Sequence, residues 1–274
     1  MMILATDLDR TLLPNGKQTY DGSMRLFREI AAGKSIILIY VTGRRVQLVK
    51  KAISKYKTPF PKYSICDVGT RIYSIKNRKF SEDKGWGREI NKETPGWSIN
   101  KFKKSLAGIM QLRLQEKAAQ NRLKLSYCLR DLKNSGEIVR EAEKRIKKIC
   151  RAAAVVYSVD ETTQTGMVDV LPQHATKLAA LEYLRKKLRL KKSGAIYCGD
   201  SGNDLLPITF GYKSILVRNA TPSVRKAAVN SLKRKGMLKK LYLAKGKGKL
   251  NGYYVSGIIE GLAHFGITNK KVIY

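Results

Sequence analysis

Apolar residues run through the chain in short blocks whose period switches between two, as in a strand, and about 3.6, as in a helix. Ile3-Leu4-Ala5 predicts a short buried strand over residues 3–6, followed by a helical pattern near 21–32. Ser35 to Val41 is nearly all apolar and rich in β-branched residues, as a central strand buried on both faces requires, and it predicts a strand over 35–42. A helix over 44–55 and a strand over 63–66 continue the alternation, and Gly69-Thr70 predicts a turn into a hairpin partner, Ile72 to Ile75. Strands alternating with amphipathic helices at this pitch predict an α/β fold, a doubly wound parallel sheet covered on both faces.

From about Asn77 to Gly166 the texture changes. Long helical patterns near 98–119 and 135–150 alternate with strand-like segments near 123–130 and 153–159. After Met167 the first rhythm resumes, with a strand from Val168 to Leu171, a helix over 175–189, a strand over 194–198, a helix over 202–207 and a strand over 213–217. A core over 1–80 and 168–274, interrupted by a smaller α+β cap over 81–167, accounts for the pattern most simply.

With 274 residues, 43% of them apolar, the chain can fill two such units. The charge balance is less ordinary: 55 Lys and Arg against 21 Asp and Glu give a formal net charge of +34. That excess favours acidic partners, from phosphorylated metabolites to nucleic acid or an anionic membrane. Its cations recur on nearly every predicted helix, however, as a solvated surface does, and no nucleic-acid fingerprint accompanies them. Nucleic acid and membrane are therefore not the expected partners. Cys66, Cys128, Cys150 and Cys198 form no C-x-x-C pair and predict four buried thiols in a reducing compartment. Asp7 and Asp9 interrupt the region where a secretory signal would be apolar, and no apolar run reaches membrane-spanning length, so the expected location is the cytoplasm.

Candidate chemistry gathers at the C-terminal ends of predicted strands, where open α/β sheets hold their ligands. Asp7 and Asp9, at i and i+2 after the first strand, project to one side. Thr42-Gly43-Arg44 offers a hydroxyl and backbone N–H groups at a helix start, which suits an anion. Lys177 opens a helix after Leu171-Pro172, and Gly199-Asp200-Ser201-Gly202-Asn203-Asp204 clusters acids at a tight turn. Singly, each also reads as an Asx turn, a common loop, a solvated lysine or a capped turn. Their order and shared location favour chemistry.

The four stations, Asp7-Leu8-Asp9-Arg10-Thr11, Thr42, Lys177 and Gly199 to Asp204, resemble the four motifs of the haloacid dehalogenase (HAD) superfamily of phosphohydrolases. The resemblance implies a HAD-like, Rossmann-type core with an inserted cap and Mg2+-dependent hydrolysis of a phosphate ester through an aspartyl-phosphate. It implies Asp7 as nucleophile and Asp9 as general acid and base, with Asp7, Asp9 (through its carbonyl) and Asp200 holding Mg2+. Thr42, Gly43 and Lys177 would bind phosphate, and Thr11, Asn203 and Asp204 would support them. Asp67-Val68-Gly69-Thr70, Lys124-Leu125-Ser126-Tyr127, Val168 to Pro172 and Gly257 to Phe265 look most like the sucrose-phosphatase group, so a phosphosugar is the implied substrate.

On that pattern Lys124, Ser126 and Tyr127 of the cap, with Arg44 and Arg45, are candidate substrate contacts. Arg45 and Arg71 depart from residues usual in that group, and Arg10 fills a variable slot. The three arginines could bind a second anionic group or simply follow the basic bias of the chain. A glycosyl-glycerate phosphate, a hexose phosphate or a phosphomannomutase-like transfer are alternatives on the same fold. A polyanion binder with a vestigial site is the alternative of another class. Gly33-Lys34-Ser35 lacks the first glycine of a nucleotide-binding loop, and His264, on an apolar helix, is expected to pack in the core.

Overall fold

The computed structural model describes residues 1–14, 21–130, 132–160 and 164–268. The chain divides into two units, Met1–Glu82 with Lys177–Tyr274, and Asp83–Thr176.

The first unit begins with β1 (Met2–Thr6), α1 (Ser23–Ala31), β2 (Ile36–Val41), α2 (Val46–Tyr56), β3 (Tyr63–Cys66), β4 (Arg71–Lys76) and β5 (Lys79–Glu82). Helix α2 stops at Lys57, whose left-handed backbone (φ +50°) precedes Thr58-Pro59, a sequence that cannot prolong a helix. Ile3, Leu4 and Ala5 of β1 are wholly buried, as their unbroken apolar run requires of a strand covered on both faces.

The inserted unit comprises α3 (Lys84–Glu93), α4 (Ile99–Leu106), β6 (Leu112–Leu114), β7 (Leu125–Leu129), α5 (Ser135–Ile149), β8 (Ala153–Asp160) and β9 (Thr165–Pro172). Its antiparallel sheet runs β6-β7-β9-β8. Phe102 and Leu106 of α4 and Ile138, Ala142 and Ile146 of α5 share a core with Leu125, Tyr127, Val168 and Val170 of the sheet. Two expectations change here. The long helix near 98–119 ends at Leu106, because Ala107-Gly108 breaks the pattern, and Leu112–Leu114 pairs as a strand with β7. Val168 to Leu171, expected where the core resumes, lies inside β9, hydrogen-bonded on both sides to cap strands. The physical sign is Asp169 between two valines: a one-faced sheet alternates, whereas a central parallel strand is apolar throughout.

The first unit is completed by α6 (Lys177–Lys187), β10 (Ala195–Gly199), α7 (Leu205–Ile208), β11 (Lys213–Leu216), α8 (Pro222–Arg234), β12 (Leu241–Leu243) and α9 (Tyr254–His264). Its sheet runs β12-β11-β10-β1-β2-β3-β4-β5, parallel from β12 to β3 and antiparallel beyond. Thr221 caps α8 by accepting from the Val224 N–H, and Pro222 takes the first helical position, where no N–H is needed. Cys66, Cys150 and Cys198 are buried, but Cys128 is only half-buried. Among the described residues no helix is long and apolar enough to cross a membrane.

In α9 every residue from Tyr254 to Ala263 is buried. His264 is exposed at its end and stacks on Tyr242 at 4.5 Å between ring centroids, so it is not the core histidine that the apolar run suggested. The imidazole keeps its polar edge in water while one face covers an aromatic ring. Buried Glu260 is fully engaged, accepting from the Tyr242 hydroxyl (2.6 Å) and from the backbone N–H groups of Lys245 (3.1 Å) and Gly246 (3.0 Å). A Cβ on Gly257 would run into the backbone carbonyl oxygen of Gly252. Gly257→Ala is therefore expected to destabilise by about 1–3 kcal/mol, outweighing a helix-propensity gain of about 1 kcal/mol. Urea unfolding checks this, and an unchanged midpoint would contradict the packing described.

Candidate active site

The C-terminal ends of β1, β2 and β10 assemble one cluster of buried polar and charged side chains. Pairing with β10 carries past the end of β1, where the Asp7 N–H donates to the Cys198 carbonyl at 3.0 Å. That bond places Asp7 beside the Gly199-Asp200 turn. Lys177, at the start of α6, lies between the two strand ends. Its Nζ stands 3.1 Å from an Asp7 carboxylate oxygen, 2.8 Å from Asp204 Oδ1 and 3.1 Å from Asn203 Oδ1. Asp7, Lys177, Asp200 and Asp204 are all buried.

Asp204 is saturated by protein donors. Its Oδ1 accepts from Lys177 and from the Tyr197 hydroxyl (2.6 Å), and its Oδ2 accepts from the N–H groups of Asp200 and Ser201 (both 3.2 Å) and from Ser201 Oγ (3.0 Å). Asp200 is held more loosely: Thr11 Oγ1 donates to Oδ1 at 2.9 Å, and Arg10 Nε stands 3.4 Å from Oδ2. Carboxylate oxygens of Asp7, Asp200 and Asp204 lie within 4.8 Å of one another.

Burial raises the Asp7 carboxyl well above the usual carboxylate range; Lys177 opposes the rise, while Asp204, Asp200 and Asp9 add to it. Burial, with Asp204 beside it, also pushes Asp200 up to about 6, against the Thr11 hydrogen bond and the Arg10 charge. Burial would raise Asp204 too, but attraction and hydrogen bonds from Lys177, with those of Tyr197 and the Asp200 N–H, hold it below its ordinary value. Burial alone would lower the Lys177 ammonium, yet Asp204 and Asp7 outweigh it and raise it. One buried cation among three carboxylates leaves the pocket short of positive charge. Because Asp204 has no lone pair to spare, a hard divalent cation fits between Asp7 and Asp200, with Asp204 fixing the turn behind them.

Thr42 is buried at the end of β2, and its Oγ1 accepts from the Arg44 N–H at 3.1 Å. Gly43 sits between them, exposed. The Thr42–Arg44 loop is braced by the turn after β3, whose Asp67 N–H donates to the Arg44 carbonyl (3.0 Å) and Val68 N–H to that of Thr42 (3.2 Å). Asp67 and Val68 both hold positive φ, +51° and +62°, which for a β-branched valine marks a conformation imposed by its surroundings. Arg44 turns its guanidinium onto Asp9, with Nε 2.8 Å from Oδ2 and 3.0 Å from Oδ1, so it orients the second aspartate. Arg45 is half-buried at the start of α2, where its carbonyl accepts from Leu48 and Val49. Arg71 pairs with Glu82 at 3.0 Å.

The cap candidates separate. Lys124 and Ser126 converge on Asp169, at 3.4 Å from its Oδ2 and 2.5 Å from its Oδ1. Gln120 joins them, its Oε1 accepting from the Ser126 N–H at 2.8 Å. Tyr127, on the opposite face of β7, packs in the apolar core of the cap and is not part of this polar group. Asp169 lies in the Val168 to Pro172 stretch that carries the resemblance, but it is not among the candidate contacts read from the sequence. Its signal was a lone acid at a sheet position opposite Ser126, visible only once β7 and β9 are paired.

Residues 1–266 match the family of sucrose-6F-phosphate phosphohydrolase. A HAD-like hydrolase of Nitrosococcus oceani is 41% identical over 266 residues, covering 96% of this chain and 71% of that protein. A sucrose-phosphatase of Arabidopsis thaliana is 27% identical over 274 residues, and there the match spans 96% of this chain but 59% of the plant protein. Among solved structures, the sucrose-phosphatase of Synechocystis sp. PCC6803, in complex with sucrose and phosphate, superposes with a TM-score of 0.74 at 23% identity, over 97% of this chain and 98% of that one. This last likeness is one of fold.

Proposed function

The chain belongs to the sucrose-6F-phosphate phosphohydrolase family within the HAD superfamily, and from that premise we propose that it hydrolyses a phosphosugar monoester with Asp7 as nucleophile. The observation that carries the reading is the buried contact of Asp7 with Lys177, backed by Asp204, at the strand ends that also hold Asp9, Thr42 and Asp200.

An Asp7 carboxylate oxygen attacks phosphorus, the bond from phosphorus to the sugar oxygen breaks, and Asp9 delivers a proton to that leaving oxygen. In the second half Asp9 takes a proton from water, whose oxygen attacks the aspartyl-phosphate and returns Asp7 as a carboxylate. Lys177 and the Thr42 hydroxyl, with the backbone N–H groups of the Thr42–Arg44 loop, hold the nonbridging oxygens, and Arg44 aims Asp9. Mg2+ held by Asp7, Asp200 and the Asp9 carbonyl would supply the charge that lets a carboxylate approach a phosphate dianion. In the cap, Lys124, Ser126 and Asp169 form a polar group suited to sugar hydroxyls, with Gln120 bracing its backbone.

Sucrose phosphate is the first substrate to expect, given the family. Phosphate release measured with Mg2+ from sucrose phosphate, glycosyl-glycerate phosphates and hexose phosphates tests this, with the highest kcat/KM expected for sucrose phosphate. Preference for another phosphosugar would move the specificity, and release from none would overturn the reading.

A further inference from the structure

Arg10 and Tyr254 are both non-glycine residues with left-handed backbones, φ +59° and +48°, and a single side chain binds the two. Asn219, in the loop after β11, donates from Nδ2 to the Arg10 carbonyl oxygen at 2.6 Å and accepts at Oδ1 from the Tyr254 N–H at 3.2 Å. The second bond satisfies a donor that the first turn of α9 would otherwise leave open. A planar amide suits this double task because it carries one donor group and one acceptor side by side.

The Asn219 loop is itself pinned. On one side the Val217 N–H donates to the carbonyl of Gly199, the residue before Asp200, at 3.2 Å. On the other the Arg218 N–H donates to the Gly252 carbonyl at 2.9 Å. Asn219 therefore reaches Arg10 from a support that is fixed to the Asp200 turn.

What hangs on the Arg10 peptide gives the contact its meaning. Asp9 precedes it, Thr11 follows it and donates to Asp200 Oδ1, and the Arg10 side chain reaches Asp200 Oδ2. A left-handed L-residue persists only where its surroundings over-determine it. Release of the Arg10 carbonyl would let residue 10 relax, turning the peptides on which Asp9 and Thr11 are carried. We infer that Asn219 is a positioning residue: it locks the Asp9–Thr11 loop in the backbone state that aligns Asp9 and Asp200, without touching the reacting atoms. This inference rests on the phosphohydrolase reading of the site for its kinetic consequence, though not for its geometry.

Asn219→Asp keeps the size and the acceptor for Tyr254 but turns an oxygen toward the Arg10 carbonyl; Asn219→Ala removes both bonds. Both variants are expected to lower kcat on the order of tenfold or more at little-changed KM, and to weaken the rise in Tm produced by Mg2+ alone. Glycine adopts the left-handed backbone unaided, so Arg10→Gly should restore part of the kcat lost by Asn219→Ala, a coupling of about threefold or more in the double-mutant cycle. If Asn219→Ala does not fold, the cycle is run with Asn219→Asp. Wild-type kcat and an unchanged Mg2+ response in the Asn219 variants, or independent effects of the two substitutions, would overturn the inference. Should the wild type hydrolyse no phosphosugar, the phosphatase reading fails, and the Mg2+ response decides the clamp: a weaker response upholds it and an unchanged one refutes it.

Discussion

Asp7→Asn is expected to abolish phosphate release while leaving the fold intact. Phosphate monoesters are among the slowest of biological substrates to hydrolyse unaided, so an enzyme must remove on the order of 20 kcal/mol of barrier. If that is done by splitting the reaction at a covalent intermediate, a neutral amide in place of the nucleophile removes the route itself, and turnover should fall by about four orders of magnitude or more. Stability should move the other way. Asp7 is buried, with its carboxyl raised well above the ordinary range chiefly by burial, so its charged form is disfavoured in the folded protein. An isosteric amide ends that penalty, and Lys177 keeps Asp204 as its partner at 2.8 Å. Phosphate release and thermal unfolding of the same preparation check both halves. Unimpaired turnover would sink the mechanism, and an unfolded variant would show that Asp7 is structural.

Lys177→Met is expected to lose both activity and stability. Its ammonium is buried and binds Asp7, Asp204 and Asn203, so removal leaves two carboxylates facing each other without a cation. Breaking a buried ion pair from one side costs about 3–5 kcal/mol, and losing a donor to the transferring group costs about two to three orders of magnitude in kcat. The stability loss has a pH signature. Without Lys177 the Asp7 carboxyl, already raised by burial, rises further, and Asp204 loses the largest attraction that holds it down; upward shifts of buried carboxyls cost stability as pH rises through the interval between the unfolded and folded values. The variant should therefore be less destabilised at mildly acidic than at alkaline pH. Adding Asp204→Asn should restore stability but not turnover. A Lys177→Met protein as stable as the wild type at every pH would contradict the ion-pair account.

The parts of this molecule that were readable in advance are those whose physics is local. A short, β-branched apolar run such as Ile36 to Val41, bounded by turn residues, reads as a central strand, and the acids and hydroxyls that follow such strands land at the sheet's C-terminal edge. The parts that were not readable depend on pairing across long separations. Val168 to Leu171 looked like a core strand until β7 and β8 claimed it. The Asp169 contact with Ser126 spans 43 positions, and that of Asn219 with Arg10 spans 209. Arg44 reads as part of a phosphate loop, yet its guanidinium grips Asp9 from 35 residues away. Val68 gives no sign of its left-handed backbone in the sequence, because a β-branched residue disfavours that region, whereas Asp67 beside it tolerates it. Some of the basic residues take structural partners: Arg44, Arg71 and Lys177 are tied to acids, and Lys192, Lys235 and Lys240 donate to the carbonyls of Phe210, Thr209 and Gly211.

In the proposed mechanism phosphorus is bonded to Asp7 during turnover. Rapid acid quench of the enzyme during steady hydrolysis of its best phosphosugar, followed by peptide mass analysis, tests it most directly. The peptide containing Asp7 is expected to gain the mass of one phosphoryl group, and the gain to disappear when substrate is exhausted. Phosphate release at an undiminished rate with that peptide unmodified at every quench time would contradict the mechanism.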